Sequence, residues 1–246
     1  MINKLAKYII KNKYNLDHYI DVIFKVLKTG MQWHELNTPL HYTTYHKKFI
    51  LWNKLNIFKT SYHILIKLLI LTNSITDDDL KILSIDTSMI KNIKGVDNIG
   101  HNHYDRYRNG NKISVVVTDN GIPLGFSFES ANIHDINLVD STLDDIKIKI
   151  VNSKLLSDKG YNSKELKKKL FKKKINLIYP LKKNQKNTMF NEDELGSLKS
   201  RHIVENFFSW IKNYRRIMVR YEIKLNNYIQ FCYLAAINIQ LKRVSL

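Results

Sequence analysis

Apolar residues recur every three or four positions from Met1 to about Ser74, which is the spacing of one face of an α-helix. Two segments show this spacing most clearly: Ile20, Ile23, Phe24 and Leu27 in one, and Ile64, Leu68 and Leu71 in the other. We therefore predict a small all-α domain over residues 1–75.

Within this helical region, TGMQWHEL (29–36) and HYTTYHKKFILWNKLNIF (41–58) are predicted as two helices joined by a turn that contains Thr and Pro. This arrangement is compatible with a helix-turn-helix, which places its second helix in the major groove of DNA. The sequence therefore predicts a DNA-binding role for the helical domain. Trp33 and Trp52 are expected to lie in its core rather than to stack on bases.

After residue 75 the pattern changes to short runs rich in β-branched and aromatic residues. KILSID (81–86), ISVVVTD (113–119) and PLGFSFE (123–129) predict strands, and the Asn-Gly turn in DNGIP joins the last two as a hairpin. KLLSD (154–158) and INLIYP (175–180) predict two more strands that alternate with helices. The order β-β-β-α-β-α-β-α predicts an α/β fold over residues 76–246, with a mixed sheet flanked by helices.

The composition excludes several classes of protein. A single cysteine cannot form an internal disulfide or a cysteine-rich zinc site, and 44% hydrophobic residues are enough for a packed core. The most apolar run, residues 64–71, is far shorter than the roughly 20 residues of a membrane-spanning helix, and the first residues lack a signal-peptide pattern. We expect a protein without membrane partners that is not secreted but cytoplasmic or nucleoid-associated, or nuclear in a eukaryotic host.

The net charge of +18 is concentrated in one part of the chain. Residues 1–80 have a net charge of +5, residues 81–158 of −1, and residues 159–246 of +14. This distribution is expected when one surface faces a polyanion and another part holds functional carboxylates. A single run such as KKKLFKKK (167–174) is more simply the solvated face of a helix, but the whole excess favours binding to nucleic acid.

Two aspartates follow predicted strands. Asp86 ends the first strand, and Asp158 ends KLLSD before a turn that contains a glycine. Short side chains at the ends of separate strands can converge in α/β folds. Asp119 also ends a strand, but it lies in the Asn-Gly turn, where an aspartate is most simply a turn former.

Glu205 is the third candidate, on the predicted helix SRHIVENFFSWIKNYRR (200–216). At about 100° per residue, Arg201, Glu205 and Lys212 share one face, and the apolar residues lie on the opposite face. The alternative is an ordinary i,i+4 surface pair between Arg201 and Glu205, worth only about 0.2–0.5 kcal/mol. The helix by itself does not decide between the two interpretations.

Three carboxylates with neighbouring cations suit the cleavage of a phosphodiester. Two Mg²⁺ ions about 3.5–4 Å apart can activate a nucleophile and stabilise the leaving oxygen, and magnesium prefers oxygen ligands. Cationic side chains beside the metals can hold neighbouring phosphates. The spacing of Asp86, Asp158 and Glu205 along the chain fits this need but is weakly specific.

Several motifs resemble those of insertion-sequence transposases of the DDE superfamily, over nearly the whole chain. SIDTS (84–88) resembles the strand with the first catalytic aspartate, LLSDKGYNS (155–163) the segment around the second, and residues 109–135 the strands and loop between them. Leu198, Arg201, Glu205 and Lys212 match the family signature Y-x-x-R-x-x-x-E-x-x-x-x-x-x-K except at its first position, where leucine replaces tyrosine.

The resemblance implies a ribonuclease H-like fold for residues 76–246 and a transposase activity. Such an enzyme binds terminal inverted repeats, cuts at the element ends, and transfers the 3′-hydroxyl ends to target double-stranded DNA. The resemblance implies that Asp86, Asp158 and Glu205 are the catalytic residues and the ligands of two Mg²⁺ or Mn²⁺ ions. It also implies a homo-oligomer on DNA, because two ends must be brought together, and no nucleotide cofactor.

The resemblance further implies that Arg201 and Lys212 contact DNA near the cut. The remaining predicted DNA contacts are Lys159, Arg215 and Arg216, and the residues with predicted supporting roles are His134, Asp135 and Tyr161. His134 and Asp135 have the alternative role of a loop-capping pair.

Two other functions stay open. Leu198 is compatible with a catalytically inactive or domesticated DNA-binding relic, and the ribonuclease H-like pattern with a structure-specific nuclease. His101 and His103 have H-x-H spacing but no third metal ligand, so they are more simply loop residues. The aromatic residues Tyr104, Tyr107 and Phe208 are expected to pack within the protein rather than to stack on bases.

Overall fold

The computed structural model describes residues 16–102, 108–181 and 190–244, so that His103, Tyr104 and Tyr107 lie outside the described residues. The helices are α1 (Leu16–Thr29), α2 (Tyr42–Lys54), α3 (Ile57–Leu71), α4 (Val139–Asp145), α5 (Lys164–Lys172), α6 (Glu192–Ser197), α7 (His202–Lys212), α8 (Arg215–Met218) and α9 (Leu225–Val244). The strands are β1 (Ile82–Asn92), β2 (Gly100–Asn102), β3 (Arg108–Thr118), β4 (Pro123–Ser130), β5 (Ser153–Leu156), β6 (Ile175–Ile178) and β7 (Val219–Arg220).

Five strands form the body of the sheet, in the order β4-β3-β1-β5-β6. β1, β3 and β4 pair antiparallel, whereas β5 lies parallel to β1 and β6 parallel to β5. The short strands β2 and β7 pair with β3 and β1. Three antiparallel strands followed by two parallel strands in this order form a ribonuclease H-like sheet, so the predicted fold class is confirmed.

The predicted Asn-Gly hairpin joins β3 to β4. Gly121 has a φ of +78°, in the left-handed region that glycine adopts without a steric penalty. A Cβ at Gly121 would lie 2.7 Å from the ring of Trp210 on α7. The hairpin turn therefore needs glycine both for its backbone and for its close contact with α7.

The N-terminal helices differ from the predicted pair. Gly30, with a φ of +72°, ends α1, and the chain is extended at Gln32, so TGMQWHEL forms only a 3-10 turn at Trp33–Glu35. The prediction of a helix there is wrong. The second predicted helix is divided at Asn56, which has a φ of +52° and separates α2 from α3. Within residues 16–75, the structure therefore has one helix, a 3-10 turn and two further helices that only two residues separate.

The N-terminal helices share one hydrophobic core with the sheet and with α9. Phe49 of α2 stacks on Phe231 of α9 with ring centroids 4.3 Å apart. Trp52 is buried and Trp33 packs against Phe49, as predicted for both tryptophans. Thus the all-α segment and the sheet pack as one unit across the boundary predicted at residue 75. In the part of the chain that the structure describes, no helix is both long and apolar enough to cross a membrane.

Candidate active site

The first two predicted carboxylates are neighbours because of the register between β1 and β5. These strands run parallel, and their last registered pair is Ser84 with Leu156. Asp86 and Asp158 each lie two residues beyond that pair, and the carboxylate of Asp158 is close enough to raise the pKa of Asp86. We expected Asp86 at the end of its strand, but it lies within the longer β1. The strand end that forms the site is that of β5 alone.

Local backbone N–H groups orient both carboxylates. Asp86 Oδ1 accepts a hydrogen bond from the N–H of Thr87 at 2.8 Å. Asp158 precedes the 3-10 turn Lys159–Tyr161, and its Oδ1 accepts a hydrogen bond from the N–H of Lys159 at 2.6 Å. The fold therefore fixes the direction of the two side chains through residues that directly follow them in sequence.

Asp86 lies in a region of negative charge that the protein compensates only in part. Burial is the largest cause that raises the pKa of Asp86 to about 6, and the carboxylates of Asp135 and Asp158 act in the same direction. The N–H of Thr87 and the guanidinium of Arg201 lower this pKa but do not outweigh burial. A strongly perturbed pKa of this origin is a frequent property of functional carboxylates.

Arg201 lies between Asp86 and Glu205. Its Nη1 is 3.6 Å from Asp86 Oδ2, and its Nη2 donates a hydrogen bond to Glu205 Oε1 at 2.8 Å. Glu205 therefore forms the i,i+4 pair and also faces the site of the two aspartates, but it reaches Asp86 only through the guanidinium. Within residues 16–102, 108–181 and 190–244, no three acidic, histidine or cysteine side chains are grouped closely enough to hold one metal ion together.

Lys212 lies beside the same site at the other end of α7. Its Nζ donates a hydrogen bond to Ser88 Oγ at 2.6 Å. Ser88 is two residues from Asp86, and alternate residues of a strand share one face of the sheet. Burial lowers the pKa of Lys212. Sequence reasoning missed Ser88, although the i+2 spacing from Asp86 was a usable signal.

Asp135 is held at the site by a lysine that sequence reasoning also missed. Lys112 Nζ is 2.7 Å from Asp135 Oδ1 and donates a hydrogen bond to the carbonyl oxygen of Ile133 at 2.6 Å. The lysine side chain is only 12% exposed. Because β3 carries Lys112 and the loop after β4 carries Asp135, the pair fastens this loop to the sheet near Asp86.

Tyr161 and His134 lie in different surroundings. Tyr161 is buried, and burial is the main cause that raises its pKa, followed by the negative charges of Asp86 and Asp135. It therefore forms part of the wall of the site. His134 is exposed, and its side chain makes no capping hydrogen bond to the 3-10 turn at Asp135–Leu138. The alternative role of His134 as a loop-capping residue is therefore wrong.

The predicted DNA contacts are placed unequally. Lys159 and Arg215 are exposed. Arg216 is only 7% exposed, its Nε donates a hydrogen bond to Glu222 Oε1 at 2.6 Å, and burial raises the pKa of Glu222. We therefore correct the prediction for Arg216, because a buried guanidinium that is already paired with a carboxylate is not available to a phosphate.

Three other residues that the sequence analysis discussed, Leu198, Phe208 and His101, lie in turns, strands or the core. Leu198 packs against the hydrophobic core at the start of the 3-10 turn Leu198–Arg201. Phe208 is 7% exposed, so the expectation that it packs within the protein is confirmed. His101 lies on β2, which pairs with β3. The leucine that replaces the signature tyrosine therefore has a packing role in this structure.

Known proteins show what this arrangement is similar to. The family described as transposase DDE domain matches residues 78–239, about two thirds of the chain. Comparison with curated proteins finds no significant match. Among solved structures, the piggyBac transposase in its synaptic complex with hairpin DNA aligns with a TM-score of 0.44 and 10% identity, covering 67% of this chain and 48% of that chain. This chain thus spans about half the length of that transposase. The match to the family pattern includes both strands of the site and α7, and the chain belongs to the transposase DDE domain family.

Proposed function

We propose that this chain is a DNA transposase that binds terminal inverted repeats, cuts a phosphodiester at each end of a mobile element, and transfers the 3′-hydroxyl ends to target double-stranded DNA. The single observation that carries the proposal is the parallel register of β1 and β5, which brings Asp86 and Asp158 to the same part of the sheet, next to the cations Arg201 and Lys212. Carboxylates and cations in one site are the groups that a phosphodiester reaction needs.

The donor set fits Mg²⁺ or Mn²⁺. Both ions prefer oxygen ligands, and the raised pKa of Asp86 shows that further positive charge would be favourable beside it. Asp86 and Asp158 would hold the metals, together with Glu205 once Arg201 has released it. A pair of divalent ions would activate the attacking oxygen and stabilise the leaving oxygen.

Arg201 and Lys212 bind and orient the DNA. Arg201 can hold a phosphate through two parallel N–H groups, and Lys212 adds a single positive charge. The hydrogen bond to Ser88 keeps the ammonium of Lys212 beside the strand that carries Asp86. Exposed Lys159 and Arg215 extend this positive surface. Because one phosphodiester is exchanged for another, the joining step needs no nucleotide cofactor.

Asp135 and Tyr161 support the site. The ion pair with Lys112 positions Asp135, and the buried ring of Tyr161 excludes water from one side of Asp86. His134 lies at the exposed edge of the same loop. We further propose that the enzyme acts as a homo-oligomer on DNA, in the cytoplasm or nucleoid, or in the nucleus of a eukaryotic host.

The test uses duplex DNA that carries the sequences flanking the coding region, incubated with the full chain and Mg²⁺. We expect nicks at the element ends and joined products with a target duplex, and loss of both in Asp86→Ala, Asp158→Ala and Glu205→Ala. Asp144→Ala is the matched control, because Asp144 is 73% exposed on α4.

Three outcomes would reject the proposal. Equal cleavage by wild type and the three variants would reject the assigned residues. Cleavage of branched DNA without repeat preference or joining would favour a nuclease. Binding to the repeats without any cleavage would favour a relic.

A further inference from the structure

A second site lies outside the catalytic carboxylates, where α1, α9 and the end of α7 meet. It is a cavity of about 460 Å³. Its walls include the aromatic rings of Phe24, Trp210 and Tyr214, and its rim carries Lys28, Lys242 and Arg243. Among the described residues, none that lines the cavity is acidic. The cavity therefore combines apolar walls with three positive charges.

The walls of this cavity are fixed in place. The guanidinium of Arg243 lies over the ring of Trp210, 3.8 Å from its centroid, and the tight contact with Gly121 fixes the indole from another side. Tyr214 packs edge-on against Phe24, with ring centroids 6.0 Å apart, and its hydroxyl accepts a hydrogen bond from Asn238. A ligand would meet a preformed surface and lose little free energy in ordering it.

Three cations of the rim are unpaired with carboxylates among the described residues. In the part of the chain that the structure describes, neither Lys28, Lys242 nor Arg243 has an ion pair with a carboxylate. In contrast, Lys169 on α5 has an ion pair, because its Nζ lies 2.6 Å from Asp140 Oδ2. The cavity therefore favours an anionic occupant.

Charge also distinguishes between the possible occupants. Residues 1–15 contain four lysines and no acidic residue, so the charge of this segment does not complement that of the rim. A second copy of the chain has a net charge of +18, which does not complement the rim either. A nucleotide unit of DNA has the opposite charge on its phosphate and a flat apolar base that can contact aromatic rings.

The position of the cavity connects it to the catalytic site. Lys212, which contacts Ser88 beside Asp86, is followed directly by Asn213, which lines the cavity. Trp210 lies on the face of α7 opposite Arg201 and Lys212, so DNA that passes the carboxylates reaches the cavity by continuing around the end of α7.

We infer that this cavity is a DNA-binding subsite that takes a nucleotide of the strand flanking the cut, with its phosphate at Lys28, Lys242 and Arg243 and its base or sugar against Trp210 and Tyr214. The inference rests on the proposed function, since it requires that DNA lies across the catalytic site. It also gives α1 a role in DNA binding that does not depend on a helix-turn-helix.

The test compares the double variant Lys28→Ala/Lys242→Ala with wild type by fluorescence anisotropy, using labelled element-end DNA over a range of salt concentrations with EDTA present. We expect roughly tenfold weaker binding and a salt dependence reduced by about one unit per lost phosphate contact. Lys28→Arg/Lys242→Arg should restore both. Lys168→Ala, an exposed lysine on α5, is the matched control and should bind like wild type.

Tryptophan emission tests the aromatic wall separately. The chain has three tryptophans, and Trp33 and Trp52 belong to the N-terminal core. DNA should change the emission of wild type, and Trp210→Phe should abolish that change while keeping the melting temperature.

Two results would overturn the inference while the proposed function stands. One is wild-type nicking together with unchanged affinity and salt dependence in the double alanine variant. The other is a wild-type dimer without DNA that the same variant dissociates, with no effect on DNA binding, because the cavity would then be an interface between copies. Absence of nicking by wild type would instead reject the proposed function.

Discussion

Asp86 and Asp145 both have mostly buried side chains, 22% and 4% exposed, but the protein treats their charges in opposite ways. Asp145 Oδ2 accepts hydrogen bonds from the N–H of Phe126 at 3.0 Å and from the hydroxyl of Tyr233 at 2.8 Å. Its Oδ1 is 2.7 Å from the ammonium of Lys59. Asp86 has one backbone N–H and a distant guanidinium.

The pKa values show the result of this difference. Burial raises the pKa of Asp145, but the neighbouring side chains of His63 and Lys59 and the hydrogen bond from the N–H of Phe126 outweigh it and hold the pKa at about 2. The pKa of Asp86 is raised to about 6 because burial is not outweighed. A compensated aspartate stabilises the fold, whereas an uncompensated one remains able to bind a cation. The comparison supports a structural role for Asp145 and the metal-binding role that we propose for Asp86.

The largest expected effect is on DNA cleavage by Asp86→Asn. Replacing residues that only support metal ligands typically costs about 10- to 100-fold, so loss of a ligand itself should reduce the cleavage rate by more than about 100-fold. The measurement is the single-turnover rate of nicking with saturating Mg²⁺. Because the substitution removes a poorly compensated charge, the melting temperature should stay the same or rise.

Asp145→Asn provides the contrast for that experiment. The folded fraction of this variant should nick DNA at close to the wild-type rate, since the partners of Asp145 are Lys59, Phe126 and Tyr233 and not residues of the candidate site. A loss of activity in folded Asp145→Asn as large as in Asp86→Asn would contradict the division between a structural and a functional aspartate.

The second prediction concerns stability. Asp145→Asn should lower the free energy of unfolding by about 3 kcal/mol, because it breaks a buried ion pair and leaves hydrogen-bonding groups without an acceptor of matching charge. Lys59 is 39% exposed and can regain water, which keeps the loss at the lower end of the range for buried pairs. Urea denaturation followed by circular dichroism measures it. A change below about 0.5 kcal/mol would show that the cluster contributes little to the fold.

The sequence predicted the fold better than it predicted these charge environments. The order of the main strands along the chain followed from local patterns. The two aspartates were chosen from predicted strand ends and from the resemblance of SIDTS and LLSDKGYNS to the DDE superfamily, although Asp86 lies within β1 and not at its end. The partners of Asp145 did not follow from local patterns, because Lys59 and Tyr233 lie more than 80 residues away along the chain. The burial of Arg216 was missed because it depends on a tertiary contact: Arg216 Nη1 donates hydrogen bonds to the carbonyl oxygens of Gly30 and Met31, while its Nε pairs with Glu222.

The third prediction is a difference in pH dependence. Asp86 binds its proton more tightly in the folded state, with a pKa of about 6, than at its ordinary value of 3.8, so wild type loses stability as the pH rises from about 4 to about 6. Asp86→Asn should lack this loss, which we expect to be about 2 kcal/mol. The effect of Asp145 on stability has the opposite pH dependence, because its pKa is lowered in the folded state. The stability that Asp145 contributes is present above about pH 4 and is lost as the pH falls toward 2.

Denaturation of wild type and Asp86→Asn at about pH 4 and about pH 7, without divalent ions, measures the effect of Asp86. Asp145→Asn extends the comparison to lower pH. If wild type and Asp86→Asn change in parallel between these two pH values, the carboxyl of Asp86 is not perturbed by its surroundings.

The smallest expected effect concerns Arg201, the one cation that partly compensates Asp86 in the described part of the chain. In Arg201→Ala the site loses a positive charge that opposes the binding of another cation. Without DNA, Mn²⁺ should therefore bind roughly two- to fivefold more tightly, equivalent to at most about 1 kcal/mol for a partly exposed charge. Isothermal titration calorimetry measures this, and Arg201→Lys, which keeps the charge, should resemble wild type. Weaker Mn²⁺ binding in Arg201→Ala would mean that the guanidinium orients Asp86 and Glu205 for the metal instead of competing with it. Arg201 would then be a positioning residue that holds the two carboxylate ligands in place for the metal.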